Sequence, residues 1–227
     1  MSRALAVTRM HLTDRLTMFG LPTAILAASF LINVLIFAVE PVGSRSSGGV
    51  AAIFVVLLIA SVMLTARAMS FALSMGASRR AFAVGTGAVG GVLALTFGAL
   101  LLILNRIESA SDGWWLHGHF FGFSWLNRHN LAADWVLATV LLLAMFLLGA
   151  LVATIWLRWK QLGLLVASVT LVLVLGGLAV LITWQRDWHA VGHWFIGLSP
   201  LGASGWLALL CAALAGTAYL CLRRVEV

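Results

Sequence analysis

Six uncharged apolar runs dominate this chain, and each is long enough for a helix that crosses a bilayer. None of them contains Asp, Glu, Lys, Arg or His. Backbone inside lipid must satisfy its own hydrogen bonds, so it forms helices or a closed barrel, and a barrel would need alternating polarity. Stretches such as Leu141, Leu142 and Leu143 do not alternate. We therefore predict an all-α integral membrane protein whose six transmembrane helices cover residues 19–39, 50–66, 82–104, 135–156, 162–182 and about 202–222.

The composition excludes several other classes of protein. Of the 227 residues, 63% are apolar and 9% are charged, whereas soluble domains carry roughly 25% charged residues. A soluble enzyme, a disordered chain and a disulfide scaffold are therefore excluded. The net charge of +7 does not indicate a nucleic-acid partner, because the cations lie between the apolar runs. We expect residues 1–227 to form a single transmembrane domain.

The charged residues divide the connections between the spans into two sides. The side with both termini receives ten cations, namely Arg3, Arg9, Arg15, Arg67, Arg79, Arg80, Arg158, Lys160, Arg223 and Arg224. The other side receives four, namely Arg45, Arg106, Arg128 and Arg186. Because cytoplasmic connections carry an excess of Lys and Arg, we predict a multi-pass plasma-membrane protein with both termini in the cytoplasm.

The chain shows no means of supplying its own energy. Ionisable residues inside the membrane usually mark ion or proton pathways, and none lies within the six predicted spans. A phosphate-binding loop requires a lysine followed by Ser or Thr, whereas the only lysine, Lys160, precedes Gln161. We predict no catalytic residue and no enzymatic activity in this chain, so that energy for any work must enter through another subunit.

The inner connection between the second and third spans is the most informative short segment. Met75 and Gly76 follow an apolar stretch, and Gly76 can end a helix in the left-handed conformation. Ser78 can cap the next helix, which begins with Arg79 and Arg80. One interpretation is a tight turn with basic anchors. The other is a short cytoplasmic helix on which a cytoplasmic partner docks.

Two further sets of residues admit a functional and a structural interpretation. Asn33, near the middle of the first span, can hydrogen-bond to another helix or face a substrate path. Histidines of the outer connections, His117, His119, His189 and His193, offer a site for a metal or ligand. No cysteine or paired carboxylate accompanies these histidines, so we predict no metal centre. A non-transporting membrane scaffold or sensor that uses these outer His and Trp residues is the alternative function.

The string Leu73-Ser-Met-Gly-Ala-Ser-Arg-Arg-Ala-Phe82 between the second and third spans resembles the coupling-helix region of ABC transporter permeases of the type-2 exporter class. The outer string Glu108-Ser-Ala-Ser-Asp-Gly-Trp114, followed by His119-Phe-Phe-Gly122, is similar to the segment after the third span in those proteins. The resemblance is to the small six-span bacterial permeases of actinobacteria and firmicutes, and it extends over the whole topology.

This resemblance implies a function for the chain. It would be the permease subunit of an exporter, paired with a second copy or a close paralogue, and driven by a separate cytoplasmic subunit that binds ATP and Mg²⁺. The cargo would be amphipathic, such as a drug, a lipid or a peptide. An amphipathic helix over residues 1–18 and a re-entrant helix pair over residues 184–206 would complete the fold. Coupling to the ATPase would fall on Met75, Gly76, Ser78, Arg79 and Arg80.

Overall fold

The computed structural model describes residues 16–39, 45–46, 48–74, 76, 78–121 and 130–223. Its α-helices are α1 (Leu21–Val39), α2 (Ala51–Ser74), α3 (Arg79–Ala110), α4 (Leu131–Gln185), α5 (Trp188–Gly197) and α6 (Pro200–Arg223). A π-helical turn over Leu16–Gly20, an irregular turn with left-handed residues over Gly113–His117, and two short strands, β1 (Arg45–Ser46) and β2 (Gly118–His119), complete the described elements. The strands pair in parallel. The predicted helix over residues 1–18 lies outside the described residues, except for its last three.

Five of the described helices are long and apolar enough to cross a membrane. They confirm an all-α, multi-pass membrane protein. Four correspond to predicted spans, but α3 begins three residues earlier and ends six residues later than the run 82–104. The fifth, α4, covers two predicted spans, the runs 135–156 and 162–182.

The longest helix, α4, is interrupted at Lys160. A straight helix of its 55 residues would be roughly 80 Å long at 1.5 Å per residue. Lys160 has φ 55° and ψ −141°, which lie outside the helical region. A Cβ atom at Gly163 would lie 3.3 Å from Cγ2 of Ile155, whereas eight residues of continuous helix rise about 12 Å. Residues 131–159 and 161–185 are therefore two helical segments joined by a tight turn.

The first segment of α4, residues 131–159, forms the centre of the packed core. The Ser61 hydroxyl of α2 donates a 2.6 Å hydrogen bond to the carbonyl of Phe146 in α4. Gly149 lies directly against the carbonyl of Leu58, so that α2 and α4 approach at backbone distance. On the α3 side, Gly90 packs against the Phe146 ring and Gly98 against Thr139. Of the small residues in the third span, Gly87 and Gly91 have no such contact.

The second segment of α4 packs differently. All of residues 161–185 are described, and none of them is buried. The exposed side chains are large and apolar, and include Leu162, Val172, Leu173 and Val180. Water would penalise such a surface, whereas lipid tails are as apolar as these side chains. This helix therefore requires lipid or another apolar surface around it.

The cationic ends of the helices lie together. The Arg79 guanidinium, at the start of α3, donates a 2.6 Å hydrogen bond to the backbone carbonyl of Arg223, at the end of α6. Below this bond, α2, α3 and α6 share a small apolar cluster of Met69, Ala72, Phe82 and Leu222. We call this part of the protein the basic end. The opposite end holds the β1–β2 pair and the C-terminal end of α3.

Two predicted local features are not confirmed by the structure. The expected separate coupling helix is not a separate element in the described residues, because α2 continues to Ser74 without a helix-breaking residue. Pro200 starts α6, which also contains Gly202 and Gly205. Proline suits the first turn of a helix, where no intrahelical N–H partner is needed. The short helix α5 precedes α6, and the re-entrant pair over residues 184–206 stays a prediction.

Candidate functional site

The α2–α3 turn at the basic end holds most of the predicted coupling residues. Gly76 has φ +76°, the left-handed conformation expected for a helix-ending glycine. Ser78 caps α3 and accepts a 3.2 Å hydrogen bond from the N–H of Ala81. These two local predictions are confirmed, and Met75 lies outside the described residues.

The two arginines of this turn have different environments. The Arg79 guanidinium donates a hydrogen bond to the Arg223 carbonyl and so joins the start of α3 to the end of α6. Arg80 is exposed. Phe71, in the last turn of α2, is 54% exposed, which is high for an aromatic side chain beside a buried cluster. The region of the turn therefore exposes one apolar side chain, Phe71, and one cationic side chain, Arg80, while Arg79 fixes the start of α3.

A small cavity of about 70 Å³ lies behind this turn, where α2, α3, α4 and α6 meet. Its walls are mostly apolar, but the hydroxyls of Thr65 and Thr86 line it, and neither has a hydrogen-bond partner among the described residues. Thr154 also lines the cavity, and its hydroxyl donates to the carbonyl of Leu151 at 2.8 Å. Buried hydroxyls usually find a partner. The cavity is thus a polar defect in the core next to the basic-end turn.

At the opposite end, one carboxylate organises the connection after α3. Glu108 is 1% exposed. Its Oε2 atom accepts hydrogen bonds from the N–H groups of Phe120 at 2.9 Å and Phe121 at 2.8 Å, and from Nε1 of Trp114 at 3.2 Å. The amide of Asn105 donates to the Phe121 carbonyl at 2.9 Å. We call this arrangement the outer cap.

The outer cap also fixes a strained backbone and an aromatic cluster. Four consecutive residues, Asp112 to Trp115, have φ between 51° and 70°, which only glycine adopts without strain. The Phe30 ring of α1 contacts the rings of Trp114, Phe120 and Phe121 at centroid distances of 4.9, 5.4 and 5.5 Å. Glu108 therefore ties α1 and α3 to the connection between α3 and α4.

A second carboxylate, that of Asp134, is buried at the start of α4. It lies in the first turn of α4, is fully buried, and neither of its oxygens has a hydrogen-bond partner among the described residues. The guanidinium of Arg106 acts on it electrostatically from α3. The spans predicted from sequence ended before Glu108 and began after Asp134. The structure revises this expectation, because its longer helices carry both carboxylates into the packed protein.

The histidines do not gather into a metal site in the described part of the chain. His119 is half exposed, and its Nδ1 atom lies 3.7 Å from Oε1 of Glu108. His189 and His193 are exposed on α5, and His117 ends the turn Gly113–His117. Among the described residues, no three His, Cys, Asp or Glu side chains are placed to hold a metal ion. The sensor or scaffold function stays a prediction.

Asn33 lies half-buried within α1, where its amide donates a 2.8 Å hydrogen bond to the carbonyl of Ser29 one turn earlier. This bond satisfies one donor within the same helix. Its predicted role on a substrate path stays a prediction.

The chain matches no family model, no curated protein and no solved structure. Any function must therefore be inferred from the residues and their geometry.

Proposed function

We propose that this chain is the membrane-spanning subunit of an ATP-driven exporter of an amphipathic cargo. It would cross the membrane six times, with α4 supplying two crossings, and would act as a dimer with a second copy or a close paralogue. A separate cytoplasmic subunit would bind and hydrolyse ATP. This proposal rests on the resemblance of residues 73–82 to the coupling region of type-2 exporter permeases and on the geometry of the basic-end turn.

The surface of the basic-end turn carries the proposal. Phe71 precedes Gly76 in the chain and Arg80 follows it, and both are exposed. An exposed aromatic side chain and an exposed guanidinium on the two sides of one turn suit a groove with apolar walls and an acidic rim, since aromatic and Arg residues dominate the binding energy of interfaces. A docked subunit would bury both side chains.

The helices behind the turn can transmit movement. The 32 residues of α3 run without interruption from Arg79 to Ala110, a length of about 48 Å. Its first residue is tied to α6 through the Arg223 carbonyl, and Glu108 near its last turn holds the outer cap. Displacement of the turn would therefore reach α6 directly and the outer cap through α3.

Asp134 defines the rival mechanism. A buried carboxylate in a membrane protein is a natural binding site for a transported cation or proton. If the transport energy came from an ion gradient, Asp134 would be the residue that binds the ion. If it comes from ATP, neutralising Asp134 should leave the energy source unchanged.

The experiment uses the tagged full chain, purified from its native membranes and reconstituted with its bound subunits. We expect a protein with a phosphate-binding loop to co-purify, and the complex to hydrolyse ATP. Arg80→Glu should remove both the ATPase subunit and the hydrolysis, because it reverses the charge of the exposed guanidinium. Arg186→Glu makes the same charge change at an exposed site after α4 and should retain both.

One result would overturn the proposal. The proposal is wrong if vesicles containing this chain alone accumulate an amphipathic fluorescent dye when a sodium or proton gradient is imposed, and if Asp134→Asn abolishes that uptake.

A further inference from the structure

An open groove at the basic end separates the end of the first α4 segment from the last turns of α6. Arg158, Thr217, Leu220, Cys221 and Arg223 line it, and its volume is about 450 Å³. We propose that this groove binds the phosphate group of an anionic phospholipid headgroup between Arg158 and Arg223. The proposal does not depend on ATP-driven transport.

An aromatic ring lies near each of the two guanidinium groups. Cζ of Arg158 lies 4.1 Å from the centroid of the Trp159 ring. Cζ of Arg223 lies 6.0 Å from that of Tyr219. Contact of this kind is attractive for cations and restricts the motion of a long side chain. The two cations are thus partly ordered before a ligand arrives, which lowers the entropic cost of binding.

Charge favours an anionic ligand at this position. The acidic residues that the structure describes are Glu108, Asp112, Asp134 and Asp187, and none of them forms an ion pair with Arg158 or Arg223. A guanidinium presents a planar set of N–H donors that matches two oxygens of a phosphate. Two such groups from different helices, facing one groove, can hold a single phosphate from both sides.

The position of the groove favours a lipid over a soluble phosphate. It lies at the end of α6, a helix apolar enough to cross a membrane. Leu220 on its wall is 60% exposed, and Leu209, three turns earlier on α6, is 63% exposed. A headgroup in the groove would allow its acyl chains to run along this apolar surface. Basic pockets between helices at the cytoplasmic side are suited to anionic headgroups.

A lipid bound here would contact the same residue that anchors the basic-end turn. The carbonyl of Arg223 accepts the hydrogen bond of Arg79, while its side chain lines the groove. Ordering of Arg223 by a phosphate would therefore stabilise the junction between α3 and α6. Thermal stability should rise with the anionic lipid in the wild-type protein and not in the groove variants.

The test is native mass spectrometry of the full chain in detergent, with equal amounts of phosphatidylglycerol and phosphatidylcholine added. We expect wild-type protein to retain phosphatidylglycerol preferentially. Arg158→Gln and Arg223→Gln should each lower the ratio of the two retained lipids about tenfold, as expected from the loss of one charge-assisted phosphate contact. Arg158→Lys should restore part of the ratio. Because both lipids are measured in one sample, a misfolded variant would lose both rather than change the ratio.

The control is Arg67→Gln, which removes an exposed arginine of α2 outside the groove. Its ratio should stay within about twofold of wild type, a change of less than half a kilocalorie. If it falls as far as that of Arg158→Gln, the binding is general surface attraction and the proposal is wrong. The assignment of the phosphate to a lipid headgroup would be wrong if inorganic phosphate, at matched ionic strength, raised the melting temperature as much as phosphatidylglycerol vesicles do.

Discussion

Oε2 of Glu108 accepts a 2.8 Å hydrogen bond from the backbone N–H of Phe121, thirteen residues further along the chain in the connection between α3 and α4. The same oxygen also accepts from Phe120 and Trp114. A single carboxylate thus accepts from three N–H donors, and the backbone N–H groups of Phe120 and Phe121 are buried. Much of the outer cap therefore depends on one side chain.

Removing this carboxylate should destabilise the protein strongly. We expect Glu108→Ala to lower the free energy of unfolding by about 3 kcal/mol, because it leaves buried N–H groups unpaired. Glu108→Gln keeps one acceptor oxygen and should cost less. Thermal unfolding in detergent measures both. Asp187→Asn, at a cap without a side-chain hydrogen bond, is the control and should change little. Equal stability of Glu108→Ala and wild type would contradict the role assigned to Glu108.

The close approach of α2 and α4 can be tested with a pair of glycines. Gly149→Ala places a methyl group against the Leu58 carbonyl, and the overpacking should cost about 1–3 kcal/mol. Gly176→Ala lies in the exposed second segment of α4 with open space around it. It should be neutral or stabilise the helix by about 0.5–1 kcal/mol. The midpoint of thermal unfolding should therefore fall for Gly149→Ala and not for Gly176→Ala, and a loss of the same size in both variants would exclude this packing.

The left-handed turn at Gly76 should not tolerate a side chain. Its surroundings are open, so Gly76→Ala meets no atom and should lose only the conformational term, about 1–2 kcal/mol. Gly76→Asn should lose less, because Asn visits this conformation more readily. The control Gly91→Ala has an ordinary helical backbone and open space. It should not be less stable than wild type in the same unfolding measurement, and the interpretation fails if Ala is tolerated equally at both positions.

The threonine cavity gives a prediction with the opposite sign. Thr86→Val preserves the shape of the side chain and removes a buried hydroxyl that has no partner among the described residues. We expect it to raise the free energy of unfolding by about 1 kcal/mol. Thr154→Val removes a hydroxyl that is bonded to the Leu151 carbonyl and should lower it by about 1 kcal/mol. Destabilisation by Thr86→Val would mean that the hydroxyl is satisfied by water in the cavity.

Sequence reasoning located the membrane helices well because a bilayer imposes a simple rule on every residue of a span. The predicted start of the first span at residue 19 lies two residues from the start of α1, and the predicted gap over 157–161 contains the turn at Lys160. The ends of α3 were placed less well. Its terminal turns carry Arg79 and Glu108. A hydropathy criterion ends a predicted span before a charged residue, even where the helix continues past it.

The candidate sites show the same division. The conformations of Gly76 and Ser78 could be inferred because turns and caps depend on neighbouring residues alone. The different environments of Arg79 and Arg80 could not be inferred, because Arg79 donates to a carbonyl 144 residues further along the chain. The burial of Glu108 and Asp134 was not predicted. A signal was present for Glu108, which precedes a segment rich in Gly, Trp and Phe whose backbone needs acceptors.

The sequence by itself determined that this protein is a bundle of membrane-spanning helices, because uncharged apolar runs of this length leave the backbone no other way to satisfy its hydrogen bonds. It also determined where several of the turns lie, since Gly76 and Ser78 act locally. Only the tertiary structure decided which charges are buried, which arginines form hydrogen bonds and which small residues bring helices into contact. Those properties depend on the distance between residues far apart in the chain, and periodicity and composition carry no information about that distance.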